Sequence, residues 1–213
     1  MSKLSKRHFW EWFERNNTEY ASLNKKTKKE VNYWLNELKA HLRAYFKFLG
    51  CSLAIDNKGI STLIITVNGK AQHFEKVDAF VATAPEIPGW RINALEDPMP
   101  IDFSLEKEIK MAGIHPAEMS FSFADDDTES GCITIYHPLL TKENSRDFWR
   151  LAHAAVYNLL GERSFGLDIY ELDITNLSAS GDEVLRNIEE LPLFMGIGKS
   201  SMIVDDEGKL IHL

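Results

Sequence analysis

Residues 119–174 decide the fold that this sequence predicts, and they read MSFSFADDDTESGCITIYHPLLTKENSRDFWRLAHAAVYNLLGERSFGLDIYELDI. Two short runs rich in strand-forming residues, Met119–Ala124 and Cys132–Tyr136, flank an acidic turn, which is typical of a hairpin. Apolar residues then recur at three- and four-residue steps from Asn144 to Leu160, which predicts a long helix. A Gly-Glu pair ends this helix, and the chain up to Ile174 is predicted to be extended. The segment therefore predicts a ββαβ unit.

An earlier segment, residues 51–95, predicts the same elements in the same order. Strand patterns at Cys51–Ile55 and Ile60–Val67 flank a turn that ends in glycine,. A shorter helix, Phe74–Val81, precedes a proline, and Trp90–Leu95 is a third strand candidate,. The pattern predicts an α+β fold, with a single mixed or antiparallel sheet built from two ββαβ-like halves and helices on one face.

The remaining residues add a helical arm and a tail to one predicted domain, residues 1–213. Helical spacing in residues 1–50 predicts the N-terminal arm, with a first helix that stops at Asn16-Asn17 and a second from Lys25 to Leu49,. The halves are residues 51–96 and 119–175, joined by a connection at 97–118. Residues 97–113 fit a strand or a short helix, and we favour extended structure. Residues 176–213 are predicted to form a short helix, Asp182–Leu191, and a hairpin.

The composition is that of a soluble globular protein. The chain has 213 residues, of which 44% are hydrophobic and 26% are charged,. No stretch approaches the roughly 18 consecutive apolar residues of a membrane span, and no apolar segment follows the basic N-terminus as in a signal peptide. Cys51 and Cys132 lie in no metal or disulfide pattern. We therefore expect a cytoplasmic protein without a membrane partner.

Charge is distributed unevenly along the chain. Residues 1–50 contain eleven Lys or Arg and five Asp or Glu, a net charge of +6, whereas the remainder has a net charge of −14. A basic, aromatic arm can bind nucleic acid, here through Lys25, Lys26, Lys28 and Lys29. The acidic remainder repels polyanions, so a basic protein partner or a homo-oligomer fits better.

No motif predicts a metal or a cofactor, and none is expected. The histidines lack HxH, HxxxH and HExxH spacing, and no GxGxxG follows a strand. Gly198-Lys199-Ser200 lacks the earlier glycine of a phosphate-binding loop. The turn that begins at Asp125 lacks the glycine and the glutamate of an EF-hand.

Candidates for acid–base chemistry are confined to His137, Glu162 and Asp168. They could form a pair if the sheet brought His137 close to either carboxylate. The alternative is a hydrogen-bonded structural histidine and surface carboxylates. Because no catalytic spacing is present, an enzyme is the less favoured hypothesis.

The loop at residues 85–91 is the candidate binding site. Two prolines and a glycine restrict its backbone, and Trp90 and Arg91 are residue types enriched at binding hot spots,. Glu86 is the third candidate. The alternative is that Trp90 begins a strand and packs in the core.

Three motifs resemble those of a family of uncharacterised bacterial proteins: APEIPGW at 84–90, YNLLGE at 157–162 and IYELDI at 169–174. Members of that family share an aromatic N-terminal helix, an AP-x-x-PGW loop and a helix that ends in LGE. The resemblance extends from Phe9 to Ile174. It implies a bacterial cytosolic protein and implies no activity, so no functional residue follows from it.

These observations favour a non-catalytic binding or interaction protein. One concrete version is an immunity or antitoxin-like protein whose acidic surface neutralises a basic partner. The first alternative is a small-ligand-binding protein or enzyme with a pocket between sheet and helices. The second is nucleic-acid binding through the basic arm.

Overall fold

The chain has the predicted α+β architecture. The computed structural model describes residues 5–56, 59–124, 127 and 130–197, and the backbone of strands at 202–204 and 210–212. Contacts within the chain group it into two compact units, unit 1 (Met1–Glu96) and unit 2 (Asp97–Leu213). Each unit has its own hydrophobic core and its own sheet. The single-domain organisation stays a prediction.

Unit 1 consists of a helical arm followed by the first ββαβ segment. Its elements are α1 (Lys6–Ala21), α2 (Lys28–Tyr45), β1 (Gly50–Ile55), β2 (Ser61–Thr66), α3 (Phe74–Val81) and β3 (Trp90–Ala94). β1 and β2 are antiparallel, and β3 is parallel to β2. The strand order is therefore β1-β2-β3, with β3 at one edge.

Local hydrogen bonds explain where the arm helices begin and continue. The Thr27 hydroxyl accepts from the Glu30 N–H, and the Glu30 carboxylate accepts from the Thr27 N–H, a capping box that starts α2 three residues later than the pattern from Lys25 predicts,. The first helix continues through Asn16 and Asn17, where the sequence suggested a stop. Their side-chain amides donate to carbonyls of the same helix at 2.7 and 2.5 Å.

The core of unit 1 is largely aromatic. Phe80 of α3 lies against Phe9 and Trp10 of α1 and against Tyr45 of α2, at ring-centroid distances of 5.2, 4.8 and 4.8 Å. Leu63 and Ile65 of β2 are fully buried beneath these helices. Because strand side chains alternate between faces, one face of the sheet meets the helices, as predicted.

Unit 2 contains the second ββαβ segment and the tail. Its elements are α4 (Glu106–Ala112), β4 (Ser120–Phe123), β5 (Cys132–His137), α5 (Ser145–Asp168), β6 (Glu171–Asn176), β7 (Arg186–Asn187), α6 (Leu191–Phe194), β8 (Met202–Val204) and β9 (Leu210–His212). β5 is antiparallel to β4 and parallel to β6, which repeats the pairing in unit 1. The four-stranded order is β6-β5-β4-β7.

The core of unit 2 lies between α5 and one face of this sheet. Leu151, Val156 and Leu160 of α5 are buried together with Phe121 of β4 and Ile135 of β5. The opposite face of the sheet carries Ser122, Thr134 and Tyr136, in keeping with the alternation along each strand. Both ββαβ halves of the prediction are confirmed.

The prediction of one continuous sheet is wrong, because each half closes a mixed sheet around its own core. Two segments also differ from the expected elements. Glu106–Ala112 is helical and ends at Gly113, which has φ +74°, so the extended preference for 97–113 fails there. Asp182–Leu191 is not one helix, because Arg186–Asn187 pairs with β4 before a short helix at Leu191–Phe194.

The predicted break at Gly161 is present and ends a first helical stretch, but a second helical stretch follows where the sequence predicted an extended chain. Gly161 has φ +70° and ψ +167°, a non-helical conformation within α5, and helix resumes as far as Asp168. Strand β6 therefore begins at Glu171, six residues later than the extended pattern from Phe165 suggests.

Two expectations fall on parts of the chain outside the described residues. They are the glycine-lysine-serine turn at 198–200 and most of the acidic turn at 125–129. The strands of the predicted C-terminal hairpin are present and antiparallel, with Ile203 opposite Ile211. In the described part of the chain, no helix combines the length and the apolarity that a membrane crossing requires.

Candidate functional site

The binding loop predicted from the sequence connects α3 to β3 at the edge of the sheet in unit 1. Gly89 has φ +79°, a conformation that favours glycine,. The Trp90 N–H donates to the Ile87 carbonyl at 3.0 Å, and Ile87 is buried. The loop therefore turns tightly into β3 and has its own apolar anchor.

Trp90 is part of the packing between this loop and α1. Its indole N–H donates to the Asn17 side-chain oxygen at 3.2 Å, and its ring meets Phe13 edge to face at 5.0 Å. The side chain is half-buried. Trp90 thus has the structural role that was the alternative to binding, while part of its surface stays accessible.

Arg91 and Glu86 are exposed. In the register of the sheet Arg91 lies opposite Thr62, on the face away from the helices. Among the described residues, no hydrogen bond or ion pair engages the Arg91 guanidinium. The structure therefore leaves a free cation one residue beyond Trp90.

A groove of about 550 Å³ lies beside this loop. It is lined by Val81, Ala84, Pro85, Glu86, Ile87, Pro88, Trp90 and Ile92. Seven of these residues are of non-polar types, but more of the exposed surface of the groove is polar than apolar. A second depression, of about 350 Å³, shares Pro85 with this groove and includes Trp10. Volumes of this size are common for binding clefts. Of the predicted binding residues, Glu86 and Trp90 line the first groove, and Arg91 does not.

The structure does not bring the predicted acid–base residues together. His137 ends β5, whereas the backbone carbonyl of Asp168 lies next to Gly131, just before β5 begins. Six residues of strand span roughly 20 Å. Glu162 follows Phe148, whose ring contacts His137 at 5.4 Å, by fourteen residues, roughly 20 Å of helix,. No geometry supports a catalytic pair.

Each of these three residues instead has a structural environment. His137 is 5% exposed, and its Nδ1 accepts from the Leu139 N–H at 3.2 Å. Burial lowers the pKa of His137, against an opposing effect of Glu118. Glu162 is fully buried just after the kink, and Asp168 accepts from the Ser164 hydroxyl within α5.

A polar cluster on the outer face of the sheet in unit 2 was not foreseen. The Tyr136 hydroxyl donates to Glu183 at 2.5 Å, and the Ser122 hydroxyl donates to the same carboxylate oxygen. These hydrogen bonds, that from Ser122 first, lower the pKa of Glu183. Burial chiefly raises the pKa of Tyr136. Nothing local in the sequence marks Glu183, because its partners lie 47 and 61 positions away.

Exposed carboxylates continue on this face. Glu171 and Asp173 of β6 lie opposite Cys132 and Thr134 of β5 and are exposed. By sequence, unit 2 contains nine Lys or Arg and twenty-two Asp or Glu, a net charge of −13. Unit 1 contains fifteen and ten, a net charge of +5. The two units therefore differ in the sign of their net charge, with the basic surplus in residues 1–50 and the acidic surplus after residue 96.

The basic lysines of the arm lie around the start of α2. Lys25 ends a short 3₁₀ turn, and Lys28 and Lys29 are the first residues of the helix. Lys26 is paired with Glu19 at 2.6 Å. Helix N-termini disfavour cations, so this cluster is not stabilised by the helix that carries it.

Within the described ranges, His, Cys, Asp and Glu side chains form no group of three that could hold a metal ion. Comparison of the chain with protein-family models, with curated proteins and with solved structures finds no match.

Proposed function

We propose that the chain is a non-catalytic interaction protein whose acidic unit 2 binds a basic protein partner. The separation of charge supports this: unit 2 has a net charge of −13 and unit 1 a net charge of +5. A surface of one sign steers an oppositely charged partner and raises its association rate. Neutralisation of a basic toxin by an immunity or antitoxin-like protein in the bacterial cytoplasm is the version we favour.

The outer face of the sheet in unit 2 is where we place the contact. Glu171 and Asp173 project from the edge strand β6. Glu183 stays ionised to lower pH than an ordinary glutamate because two hydroxyls donate to it. Three carboxylates and several hydroxyls on one face suit Lys and Arg side chains, which form charge-assisted hydrogen bonds.

Affinity capture with the full chain tests this function. The chain is immobilised, exposed to extract of its native cells at low salt, and the retained proteins are identified by mass spectrometry. We expect a basic partner that is released as salt rises to about 0.5 M, where screening shortens the reach of surface charges to a few ångströms. The charge-reversed variant Glu171→Lys/Asp173→Lys should retain less of it.

A matched control reverses two exposed carboxylates of unit 1, Glu14→Lys/Glu75→Lys, and should retain the partner. The proposal fails if no basic protein is retained at low salt, or if both double variants lose the partner equally. The same chain is titrated with a single-stranded oligonucleotide. Salt-sensitive binding that is lost when Lys25, Lys26, Lys28 and Lys29 become Glu would favour the nucleic-acid alternative.

A further inference from the structure

Strand β3 of unit 1 has an open edge with backbone groups directed outward. The Ser61 N–H donates to the Gly89 carbonyl, and the Leu95 N–H donates to the Ile65 carbonyl, both at 2.9 Å. In a parallel pair, alternate residues bond to the neighbouring strand. Odd-numbered residues of β3 therefore face β2, and Ile92 and Ala94 direct their N–H and C=O groups to the other side. No strand of the described chain pairs with that side.

The groove of about 550 Å³ lies along this edge, on the face of the sheet that meets the helices. Its lining comes from Val81 of α3, residues 84–88 of the loop, and Trp90 and Ile92 of β3. A strand added beside β3 would project every second side chain toward this groove. The groove offers those side chains both non-polar residues and polar surface.

The opposite face of the same edge supplies the charge. Arg91 is exposed there and, among the described residues, has no ion-pair partner. Directly opposed residues of neighbouring strands interact over about 5 Å, and opposite charges are favourable. An acidic residue of an added strand would therefore face Arg91. The net charge of +5 on unit 1 has the sign that attracts such a segment,.

We propose that β3 binds an extended segment of another protein by strand addition. The segment places every second side chain at the groove and carries at least one Asp or Glu, which pairs with Arg91. Main-chain hydrogen bonds to Ile92 and Ala94 supply affinity, and the groove and Arg91 supply specificity, as in other strand-addition complexes. This surface lies in unit 1 and favours an acidic segment, whereas unit 2 is proposed to bind a basic partner. The strand-addition proposal therefore does not rest on the function proposed above.

Panning a random dodecapeptide library displayed on phage against the full chain tests the proposal. We expect enriched peptides that share an acidic residue within a run of strand-forming residues. The best peptide is then synthesised with a fluorescent label, and its affinity is measured by fluorescence anisotropy. N-methylation of the alternate amides that face β3 should abolish binding, since it removes main-chain donors and leaves side chains unchanged.

Exchanging the charges of Arg91 and of the acidic peptide residue tests whether these two residues are in contact. Arg91→Glu should weaken binding about tenfold, because a favourable cross-strand pair becomes a repulsive one. Replacing the acidic residue of the peptide by Lys should restore affinity for that variant alone. Arg43→Glu is the matched control: Arg43 is an exposed arginine of unit 1 whose charge acts on Cys51 of β1, at the far edge of the sheet. It should bind the original peptide normally.

The outcomes separate cleanly. The proposal is overturned if no peptide is enriched above background, if N-methylation leaves the affinity unchanged, or if Arg91→Glu and Arg43→Glu behave alike. Self-association of the full chain that Arg91→Glu abolishes would also overturn it, because the occupant would then be a second copy. Circular dichroism of each variant confirms folding, which is expected because both arginines are exposed.

Discussion

The two ββαβ segments share a topology and differ in what their residues do. In unit 1 the crossover helix α3 has 8 residues, and in unit 2 the crossover helix α5 has 24. Unit 1 supplements its short crossover with α1 and α2, whose aromatic side chains complete the core. Unit 2 relies on α5 and on phenylalanines of β4. The two units therefore share a strand order but complete their cores with different elements: α1 and α2 in unit 1, and α5 in unit 2.

The equivalent edge strands differ in charge on the face away from the core. Strand β3 carries Arg91 and Asn93 there, whereas β6 carries Glu171 and Asp173. Core positions of both strands are non-polar, because burial constrains them. Exposed positions have no such constraint and can specialise. This difference is the basis for assigning partners of opposite charge to the two units.

The largest effect should come from the aromatic core of unit 1. Phe80→Ala removes a fully buried ring that contacts Phe9, Trp10 and Tyr45, and we expect a loss of about 3–5 kcal/mol in the free energy of unfolding. Urea unfolding is followed by tryptophan fluorescence in a Trp149→Phe background. Every remaining tryptophan then lies in unit 1.

The control for this prediction is Phe103→Ala in the same background. Phe103 is 51% exposed and belongs to unit 2, so its removal should change the unfolding free energy by less than about 0.5 kcal/mol. A loss below about 1 kcal/mol for Phe80→Ala would contradict the aromatic core, since buried large-to-small changes cost several times more.

An intermediate effect should distinguish the two hairpin turns. Gly59 and Gly131 both have positive φ, +80° and +65°. A Cβ on Gly59 meets nothing within 4 Å, whereas one on Gly131 would lie 2.4 Å from the Asp168 carbonyl oxygen and 2.4 Å from the Tyr170 ring. Gly59→Ala should cost about 1 kcal/mol from backbone strain, and Gly131→Ala about 1–3 kcal/mol more from overpacking. Thermal unfolding measures both.

Deleting the Tyr170 ring distinguishes the two contacts that a Cβ at position 131 would make. Tyr170 is 76% exposed, so its ring can move aside or be deleted. Gly131→Ala/Tyr170→Ala should recover only part of the loss, because the Asp168 carbonyl belongs to the backbone. Equal costs at Gly59 and Gly131 would show that the close approach in unit 2 does not exist.

The smallest effect is the pH dependence of Glu183. Its pKa is lower in the folded chain because Ser122 and Tyr136 donate to it. A lowered pKa gives stability that is present above the unfolded pKa and is lost as pH falls through the folded pKa. Glu183→Gln should therefore be less stable than the parent at neutral pH, and the difference should shrink as acid protonates the parent. Urea unfolding between pH 7 and pH 3 measures it.

Removing the donors gives an independent check. Ser122→Ala and Tyr136→Phe should each reduce the same acid dependence, since each deletes one hydrogen bond to the carboxylate. If the difference in stability between Glu183→Gln and the parent is the same at every pH, the cluster is excluded. Unit 1 has a helix-capping counterpart, in which hydrogen bonds from Thr27 lower the pKa of Glu30.

Much of the fold could be predicted because strong local patterns specify it. Helix α3 spans Phe74–Val81, as its spacing indicated, and both hairpins and both crossovers occur in the predicted order. The prediction failed where a pattern was short or ambiguous. Ile101, Phe103 and Leu105 alternate as in a strand, whereas Leu105, Ile109 and Met111 fit the helix that forms at Glu106–Ala112. Arg186–Asn187 pairs with a strand more than sixty residues away.

Less of the candidate site could be predicted from the sequence. The binding loop was found because prolines, glycine, tryptophan and arginine are conspicuous in sequence. The groove beside it was not, since α3, the loop and β3 each supply part of its wall. The sequence likewise did not show that His137 lies at one end of β5, whereas Glu162 and Asp168 lie toward the other end.

The sequence by itself determined the order of elements within both ββαβ segments and the uneven distribution of charge. These properties depend on periodicity and composition, which act over a few residues. Only the tertiary structure decided that the two ββαβ segments form separate sheets, that β3 keeps an open edge beside a groove, and that Ser122 and Tyr136 meet Glu183. Such contacts join residues far apart in sequence, because strand pairing and burial depend on which partner completes each core.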